Sequence, residues 1–285
     1  MSRIVTAKGL SKSYGSFDAL KSVDFTVDRG RIVGLIGPNG AGKTTALKAI
    51  LGLTTFQGHL DVFGFDPRKE RHKLMQKVCF IADVAVLPRW LKVSQALDFV
   101  EGVHPMFDRH KAERFLGKTK ISMRSRVGQL SKGMVTQLHL ALVLAIDVEL
   151  LVLDEPTLGL DILYRKEFYH ELLSEFYDEN RSIIVTTHQV EEVENLLTDL
   201  MFIKDGEFIL NSTMDEVSER FVEVMVSQEV AEQAKQYNPI AERDVFGRKV
   251  FLFDGIDAEV AQNLGEIHRP SVADLFVAKM KGAQA

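Results

Sequence analysis

Hydrophobic and polar residues follow two different patterns in the first part of the chain. Over residues 20–27 they alternate, which is the period of an antiparallel strand with one buried face, and residues 4–10 predict a strand beside it. Residues 31–36 are nearly all apolar, as in a central strand buried on both faces. The pattern therefore predicts a half-exposed antiparallel unit followed by a fully buried strand.

Further strands and helices alternate along the chain. The strands are predicted at residues 59–63, 78–82, 149–153, 182–187, 200–204 and 207–210, and the helices at 46–51, 67–77, 163–177 and 190–197. Asp205-Gly206 is a hairpin signal between the last two strands. This alternation predicts an α/β fold with a mixed sheet, because short buried strands separated by helices are typical of parallel pairing.

Two regions depart from the alternation. Residues 84–129 have few strand signals and helical periodicity at 93–101 and 108–116, and another helix starts near Ser131. We interpret residues 84–135 as a helical subdomain inserted in a domain spanning 1–212. Thr213 and Glu216 have capping-box spacing, and strands at 222–226 and 245–253 and a helix at 258–264 follow. Residues 213–285 are therefore predicted to form a small α+β extension.

A phosphate-binding loop is predicted directly after the buried strand at 31–36. The spacing G-x-x-x-x-G-K-[ST] lets glycines turn successive backbone N–H groups toward a phosphate, and a helix N-terminus after it attracts anions. Lys43 would reach the β- and γ-phosphates, and the Thr44 hydroxyl would bind Mg²⁺. The alternative is a glycine-rich turn without a ligand. The predicted nucleotide-binding residues are Gly37, Pro38, Asn39, Gly40, Ala41, Gly42, Lys43, Thr44 and Thr45.

Two later strands end in polar side chains. Asp154 and Glu155 follow the apolar run at 150–153, and His188 follows 182–187. Ligands of parallel sheets bind at the carboxyl ends of strands, so Asp154 is placed to hold Mg²⁺ through water and Glu155 to activate an attacking water. His188 would contact the γ-phosphate at the same edge. The alternatives are solvated acids at a strand end and a structural histidine.

Composition and charge exclude some functions and leave the predicted fold unchanged. The net charge of −5, from 35 basic and 40 acidic residues, argues against nucleic acid as the main ligand and leaves a local basic patch open. Cys79 is the single cysteine, so no disulfide within the chain is expected. We expect no signal peptide, and the most apolar region, residues 138–153, is shorter than the ~20 residues of a membrane span. A membrane function would need another protein to cross the bilayer.

Together these segments resemble the ATP-binding subunits of ABC transporters over about residues 4–210. The phosphate loop is similar to Walker A, residues 130–134 to the signature, and residues 150–155 to Walker B with its catalytic glutamate. Residues 158–161 are similar to the D-loop, His188 to the switch histidine, and Tyr14 to an aromatic residue that stacks on adenine. An ordinary aromatic residue at a strand end is the alternative for Tyr14.

The resemblance implies an incomplete active site in one copy. Ser131 and Gly133 of one subunit would cover ATP bound to the phosphate loop of a second copy or a related ATPase subunit, and the resemblance also makes Asp161, in the D-loop, a nucleotide-binding residue. ATP binding would close this head-to-tail dimer and hydrolysis would open it. The resemblance also implies permease subunits, docked through the helical subdomain and residues 87–90, and a location on the cytoplasmic, inner face of the cell membrane.

Two positions depart from the family pattern. The signature usually reads Leu-Ser-Gly-Gly-Gln, and here Lys132 and Met134 replace the first glycine and the glutamine. Lys at that position resembles a variant found in exporters of the family. Asp83 stands at the Q-loop glutamine, which contacts Mg²⁺ or the attacking water, and a shorter charged side chain there would alter coupling.

Two other functions compete with transport. A soluble ABC-type ATPase acting on ribosomes or DNA shares the motifs, but ribosome-associated members usually carry two ATPase units in one chain, and DNA-repair members carry long coiled coils. A GTPase or small-molecule kinase shares the phosphate loop, but the chain has no Asn-Lys-x-Asp motif. The C-terminal residues 270–276 resemble the extension of ABC-2 type exporter ATPases, and a packing appendage is the alternative.

Overall fold

A mixed sheet forms the centre of the fold in a computed structural model that describes residues 2–81, 87–158, 160 and 162–282. The first nine strands are β1 (Arg3–Tyr14), β2 (Phe17–Asp28), β3 (Ile32–Ile36), β4 (Gln57–Val62), β5 (Val78–Ile81), β6 (Leu150–Asp154), β7 (Ser182–Thr187), β8 (Asp199–Lys204) and β9 (Glu207–Thr213). Six of them form the order β5-β6-β7-β3-β8-β9, parallel except for β9. The predicted α/β fold with a mixed sheet is confirmed.

Helices cover the central sheet on one face, and α1 and an antiparallel sheet cover the other. The first seven helices are α1 (Lys43–Ile50), α2 (Arg71–Leu74), α3 (Val93–Val103), α4 (Arg109–Gly117), α5 (Lys132–Leu144), α6 (Ile162–Glu175) and α7 (Met214–Arg220). Leu151 and Leu153 of β6 pack with Phe168 of α6, while Leu150 and Val152 pack with Leu47 of α1. Successive strand residues point to opposite faces, so both faces of β6 are buried.

Strands β2, β1 and β4 form the predicted antiparallel sheet. β1 and β2 are longer than predicted because they continue to a two-residue turn at Gly15 and Ser16, where Gly15 has φ 61°. Phe25 packs edge-on against Phe208 of β9, with ring centroids 5.3 Å apart. This contact ties the antiparallel sheet to the edge of the central sheet.

Two predicted helices are wrong in extent or kind. Helix 67–77 is reduced to α2, because Glu70 leaves helical angles, with φ −119° and ψ 27°. The region 190–197 forms two 3₁₀ turns, Val190–Glu192 and Glu194–Leu196. Buried Val193 has φ −115° and interrupts the series of i to i+4 bonds, so these residues make i to i+3 bonds instead.

The predicted capping box at Thr213 is confirmed. The Thr213 hydroxyl accepts the Glu216 N–H at 3.1 Å, and the Glu216 carboxylate accepts the Thr213 N–H at 2.9 Å. The predicted hairpin at Asp205-Gly206 is also confirmed, and the positive φ of both residues makes its turn type I′. Cys79 lies on β5, where burial raises the pKa of its thiol to about 11.

The C-terminal part forms a second antiparallel sheet and packs back on the centre of the fold. Its elements are β10 (Phe221–Val226), α8 (Ala231–Lys235), β11 (Ala241–Val245), β12 (Arg248–Asp254), α9 (Ala258–Leu264), β13 (Glu266–His268) and α10 (Val272–Gly282). Phe276 of α10 packs edge-on against Phe202 of β8, and the Lys204 ammonium donates to the Met280 carbonyl at 2.8 Å. The domain boundary at 212/213 stays a prediction.

A helix can span a bilayer only if it is both long and apolar enough. Within the described ranges, the model contains no helix with the length and hydropathy that a bilayer span requires.

Candidate active site

The predicted phosphate loop follows β3 and ends at the start of α1. Gly40 and Gly42 have φ of 81° and 112°, a region that favours glycine. A Cβ on Gly42 would lie 2.4 Å from the Ala19 carbonyl oxygen, so the loop also needs a glycine there for space. The first N–H groups of a helix lack partners within the helix. The loop and α1 therefore direct backbone donors toward one place, as phosphate binding requires.

Lys43 is the first residue of α1 and is buried, with 6% of its surface exposed. Its ammonium donates to the carbonyls of Gly37 at 2.6 Å and Pro38 at 3.3 Å, and lies 3.6 Å from Glu155 Oε1. A buried ammonium is stable only with such partners. The charge of Lys43 is therefore held at the loop, opposite the end of β6.

The ends of β6 and β7 are joined by side-chain hydrogen bonds. Thr186 of β7 donates its hydroxyl to Asp154 Oδ1 at 2.6 Å and accepts the Glu155 N–H at 3.0 Å. Asp154 is 5% exposed, so this bond satisfies a carboxylate that would otherwise be costly to bury. Glu155 has φ 49°, and the chain turns sharply there. Asp154 and Glu155 are thus consecutive at the strand end, but the Asp154 carboxylate is bonded inside the fold and the Glu155 carboxylate is more exposed.

Glu155 and His188 are in direct contact. Glu155 Oε2 lies 2.7 Å from His188 Nδ1, while Oε1 of the same carboxylate faces Lys43. The Glu155 side chain is 14% exposed and that of His188 is 42% exposed. A carboxylate held between an ammonium and an imidazole, near solvent, can accept a proton from water and has a partner that stabilises charge beside it.

These groups border one open cleft of about 480 Å³. Its lining residues are Tyr14, Phe17, Ala19, Pro38, Asn39, Gly40, Ala41, Gly42, Lys43, Thr44, Thr45, Glu155, Leu158 and His188. The cleft therefore brings together most of the residues predicted from the sequence, and it is large enough for a nucleotide-sized ligand.

Tyr14 lies at the mouth of the cleft and is half exposed. The contact of its hydroxyl with Thr54, at 3.5 Å, is the main cause of a lowered Tyr14 pKa, and nearby Lys12 and Lys48 add to it. The Lys12 ammonium lies 4.9 Å from the ring centroid. The ring is thus oriented by neighbours on β1 and in the loop before β4, with apolar surface left at the mouth.

Few side chains near the cleft could serve as ligands of a metal ion. Among the described residues, no group of three or more His, Cys, Asp or Glu side chains could hold a metal by itself. Thr44 lines the cleft, while Asp154 ends β6 directly before Glu155, is buried and does not itself line the cleft, so its carboxylate would reach a metal ion there only through water. Mg²⁺ typically takes one or two protein oxygens together with water and substrate phosphates, so this set fits it.

The signature residues lie apart from this cleft. Ser131 is the N-cap of α5 and accepts the Met134 N–H at 3.3 Å. Gly133 is buried, and a Cβ there would lie 2.9 Å from the Tyr164 ring. Neither residue is among those that line the cleft. Asp83 and Asp161 lie outside the described residues.

Phe17 and Thr186 were not identified as functional positions from the sequence. Phe17 pairs with Tyr14 across the Gly15-Ser16 turn, and two aromatic residues flanking a two-residue turn were the available signal. Leu158, which belongs to the predicted D-loop segment, also lines the cleft. Thr186 holds both Asp154 and Glu155, and it could be found only through the pairing register of β6 and β7.

Known proteins match the segments that build this cleft. A family model described as "ABC transporter" matches residues 20–158, and a second, described as "AAA domain, putative AbiEii toxin, Type IV TA system", matches residues 125–194. The chain is 32% identical over 219 residues to the daunorubicin resistance ATP-binding protein DrrA3 of Streptomyces coeruleorubidus, covering 75% of this chain and 69% of DrrA3.

A second relative and a solved structure agree. The bacitracin transport ATP-binding protein BcrA of Bacillus licheniformis is 30% identical over 224 residues, which is 77% of this chain and 73% of BcrA. A solved ATP-binding subunit of an ABC transporter superposes with a TM-score of 0.66 at 27% identity, covering 75% of this chain and 91% of that one. ATP-binding domains of ABC transporters are ATPases. The chain therefore belongs to the ABC transporter family, as one of its ATP-binding proteins.

Proposed function

We propose that this chain hydrolyses ATP in a head-to-tail dimer, with a second copy or a related ATPase subunit, and drives export through separate membrane permease subunits. The observation that carries the proposal is the contact of the Glu155 carboxylate with both Lys43 and His188 at the phosphate end of the cleft. The dimer is supported by the absence of Ser131 and Gly133 from the residues that line this cleft. One copy supplies the phosphate loop, and Ser131 and Gly133 of the other copy cover it.

Each polar group of the cleft has a distinct role in this proposal. Lys43 and the loop N–H groups bind the phosphates and stabilise the negative charge of the transition state. Glu155 orients the attacking water and accepts its proton, and His188 holds Glu155 and contacts the γ-phosphate. Bound Mg²⁺, held by Thr44 and through water by Asp154, would neutralise phosphate charge. Asp83 and Asp161 are proposed to act beside the water and at the subunit junction.

Tyr14 is proposed to stack on adenine, since it lies at the mouth of the cleft with its ring partly exposed. An aromatic face binds a purine by stacking, which is sequence-tolerant and of moderate strength. Phe17, across the turn, extends the same apolar wall.

Exposed apolar side chains on the helical region support a membrane-protein partner. Trp90 is 69% exposed, and Phe99 and Val103, four residues apart on α3, are 66% and 62% exposed. Residues four apart lie on the same face of a helix, so Phe99 and Val103 form continuous exposed apolar surface, which is typical of interaction sites. We propose that residues 87–90 and α3 bind a permease on the inner face of the membrane. The relatives that confer drug resistance or transport an antibiotic support export.

The alternative of a soluble ATPase acting on ribosomes or DNA is not favoured, since the relatives are named as transporter or resistance proteins. Purification of the tagged chain from detergent-solubilised membranes separates the two. An integral membrane protein in the eluate is expected. A chain that sediments with ribosomes and leaves no partner in the detergent eluate would contradict the transport proposal.

Residues 213–285 are proposed as a separate extension with a role in stabilising the dimer. Because Leu275 and Val272 of α10 are buried against the central sheet, deleting the extension would uncover part of the core. Loss of dimer in a truncated chain would therefore not test the proposal, and variants of its exposed face in the full chain are needed.

Replacing Glu155 by Gln tests the central assignment. The amide keeps the shape of the side chain and cannot accept the proton, so we expect ATP binding to be retained, turnover to fall at least about 100-fold and an ATP-bound dimer to accumulate. Phosphate release and sedimentation with and without ATP measure these effects. Glu229→Gln, at an exposed position of the extension, is the control. Wild-type turnover in Glu155→Gln would contradict the assignment.

A further inference from the structure

We propose that Arg165 is a positioning residue that fixes the loop carrying Glu155 relative to the turn carrying His188. Arg165 lies in the first turn of α6, and its side chain is 18% exposed. It does not line the cleft, so it acts through other residues. The inference rests on the proposed hydrolytic roles of Glu155 and His188.

The guanidinium of Arg165 joins two separate chain segments. Its Nε donates to the Leu160 carbonyl at 2.7 Å, in the segment that leads from β6 to α6. Its Nη1 donates to the side chains of Gln189 and Glu192, in the turn that follows β7. Gln189 directly follows His188. A planar fork with several donors can hold two segments at once, which a lysine ammonium does less well.

Glu192 extends the link back to the catalytic loop. Its Oε1 accepts from Arg165, and its Oε2 accepts the Thr157 hydroxyl at 3.3 Å. Thr157 is two residues after Glu155 and 3% exposed, and its hydroxyl also lies 3.5 Å from the Tyr169 hydroxyl of α6. The chain of contacts therefore runs from the loop after β6, through Glu192 and Arg165, to the turn after β7.

The hydrogen bonds among Arg165, Glu192 and Thr157 lie in largely buried surroundings, which restrict their geometry. Glu192 is 19% exposed, Tyr169 is buried, and burial raises the Tyr169 pKa, so these groups have little water to exchange partners with. Across the described residues, every buried side-chain nitrogen or oxygen has a hydrogen-bond partner. Removing the guanidinium would leave Glu192 without its cation and release both segments.

The expected consequence is a misplaced Glu155–His188 pair. Their contact of 2.7 Å joins two segments that Arg165 holds together, and small displacements in an active site have large kinetic effects. Arg165→Met should lower kcat for ATP hydrolysis about ten-fold or more and change KM for ATP less than about two-fold, because the phosphate loop is not part of the cluster. Arg165→Lys should lie between Arg165→Met and the wild type.

Arg181 provides a matched control at the other end of β7. Its side chain is 24% exposed, its Nη2 donates to Asp147 at 2.6 Å, and its Nη1 donates to the Phe176 carbonyl at 3.4 Å. It thus resembles Arg165 in burial and bonding, but it precedes β7 instead of following the strand. Arg181→Met should cost similar thermal stability and keep the wild-type kcat.

The experiment measures kcat, KM, thermal stability and amide hydrogen exchange for Arg165→Met, Arg165→Lys, Arg181→Met and Glu155→Gln in the full chain. Faster exchange in peptides covering residues 157–160 and 187–193, in Arg165→Met only, supports the proposal together with the kcat loss. Equal kcat losses in Arg165→Met and Arg181→Met, or unchanged exchange in both segments, would overturn it.

Glu155→Gln separates this inference from the proposed function. If Glu155→Gln turns over ATP at the wild-type rate, the proposed function fails and the inference fails with it. If Glu155→Gln is inactive while Arg165→Met keeps the wild-type kcat, the inference alone is wrong.

Discussion

The cleft and the N-terminus of α5 carry the two halves of the proposed ATP site, and they are built in opposite ways. In the cleft, the side chains of Lys43 and Glu155 are 7% and 14% exposed and bonded to partners from other segments. At the start of α5, Ser131 is exposed, and its hydroxyl accepts an N–H of its own helix. The first half is fixed by tertiary contacts, and the second by local capping.

In the proposed dimer, the half at α5 is the one that a second subunit would supply. The cleft already holds its charges in place within one chain. The first-turn N–H groups of α5 can stabilise negative charge outside the helix, but the cleft of the same chain lies elsewhere. A Cβ on Gly133 would lie 2.9 Å from the Tyr164 ring, so a side chain at this helix end would displace that ring.

The largest effect is expected from breaking each half separately. Lys43→Met removes the buried ammonium, and Ser131→Asp keeps a good N-cap while placing a negative charge where the γ-phosphate of the other subunit would lie. Each variant alone should lose about 1,000-fold in turnover. An equimolar mixture should recover about a quarter of the wild-type rate, because half of the dimers have one intact site.

Phosphate release before and after mixing measures this recovery. Ser131→Asn, which also caps the helix and adds no charge, is the control and should retain most activity. A mixture as inactive as its components would contradict the assignment of the two halves to different subunits.

A smaller loss is expected from His188→Ala. Without the imidazole, Glu155 keeps Lys43 as a partner and loses its contact on the other side, so kcat should fall about 100-fold with KM for ATP little changed. His170→Ala, at an exposed position of α6, is the control. Steady-state hydrolysis gives kcat and KM for both variants. A change in KM without a change in kcat would assign His188 to ATP binding instead of catalysis.

The helix that carries the signature should be sensitive to acid. Burial lowers the pKa of His139 on α5 from 6.5 to about 4. The unfolded chain therefore binds a proton that the folded chain does not bind. His139 should contribute fully to stability above about pH 6.5, and stability should fall as the pH drops toward 4, by up to about 3 kcal/mol at about 1.4 kcal/mol per pH unit.

The free energy of unfolding of the wild type and of His139→Leu, measured by chemical unfolding between about pH 7.5 and about pH 4.5, tests this dependence. The carboxylates titrate in both proteins, so the difference between the two curves isolates the histidine. Parallel curves would show that His139 is not kept neutral by the fold.

The smallest effect is expected at the mouth of the cleft. Tyr14→Ala removes a stacking surface and leaves the phosphate contacts intact, so KM for ATP should rise about three- to ten-fold and kcat should stay near the wild-type value. Tyr14→Phe should be close to the wild type. Nucleotide binding by fluorescence checks this, with Tyr237→Ala, at an exposed position, as the control. Equal affinity in Tyr14→Ala would remove Tyr14 from the binding site.

Local signals were sufficient where the chain itself determines the structure. The phosphate loop, the Asp205-Gly206 hairpin and the Thr213 capping box each depend on residues a few positions apart, and each lies where the sequence predicts. The strands at 32–36 and 150–154 followed from apolar runs, because both their faces are buried.

Tertiary contacts decided the parts that were missed. Apolar spacing predicted a helix at 190–197, but Val190 and Val193 are buried against α10, whose position the sequence does not reveal. Thr186 and Arg165 act on residues more than 20 positions away, through strand register and helix packing. The chemistry at the strand ends was therefore readable, while the network that positions it was not.

The pairing of β3 also has a consequence for synthesis of the chain. β3 (Ile32–Ile36) is flanked in the sheet by β7 and β8, which begin at Ser182 and Asp199. The phosphate loop therefore leaves the ribosome long before either neighbour of its strand exists. At 5–20 residues per second, roughly 10–30 s separate them. Such long-range parallel pairing makes folding slow, so ATP can act as a ligand for the folded loop only near the end of translation.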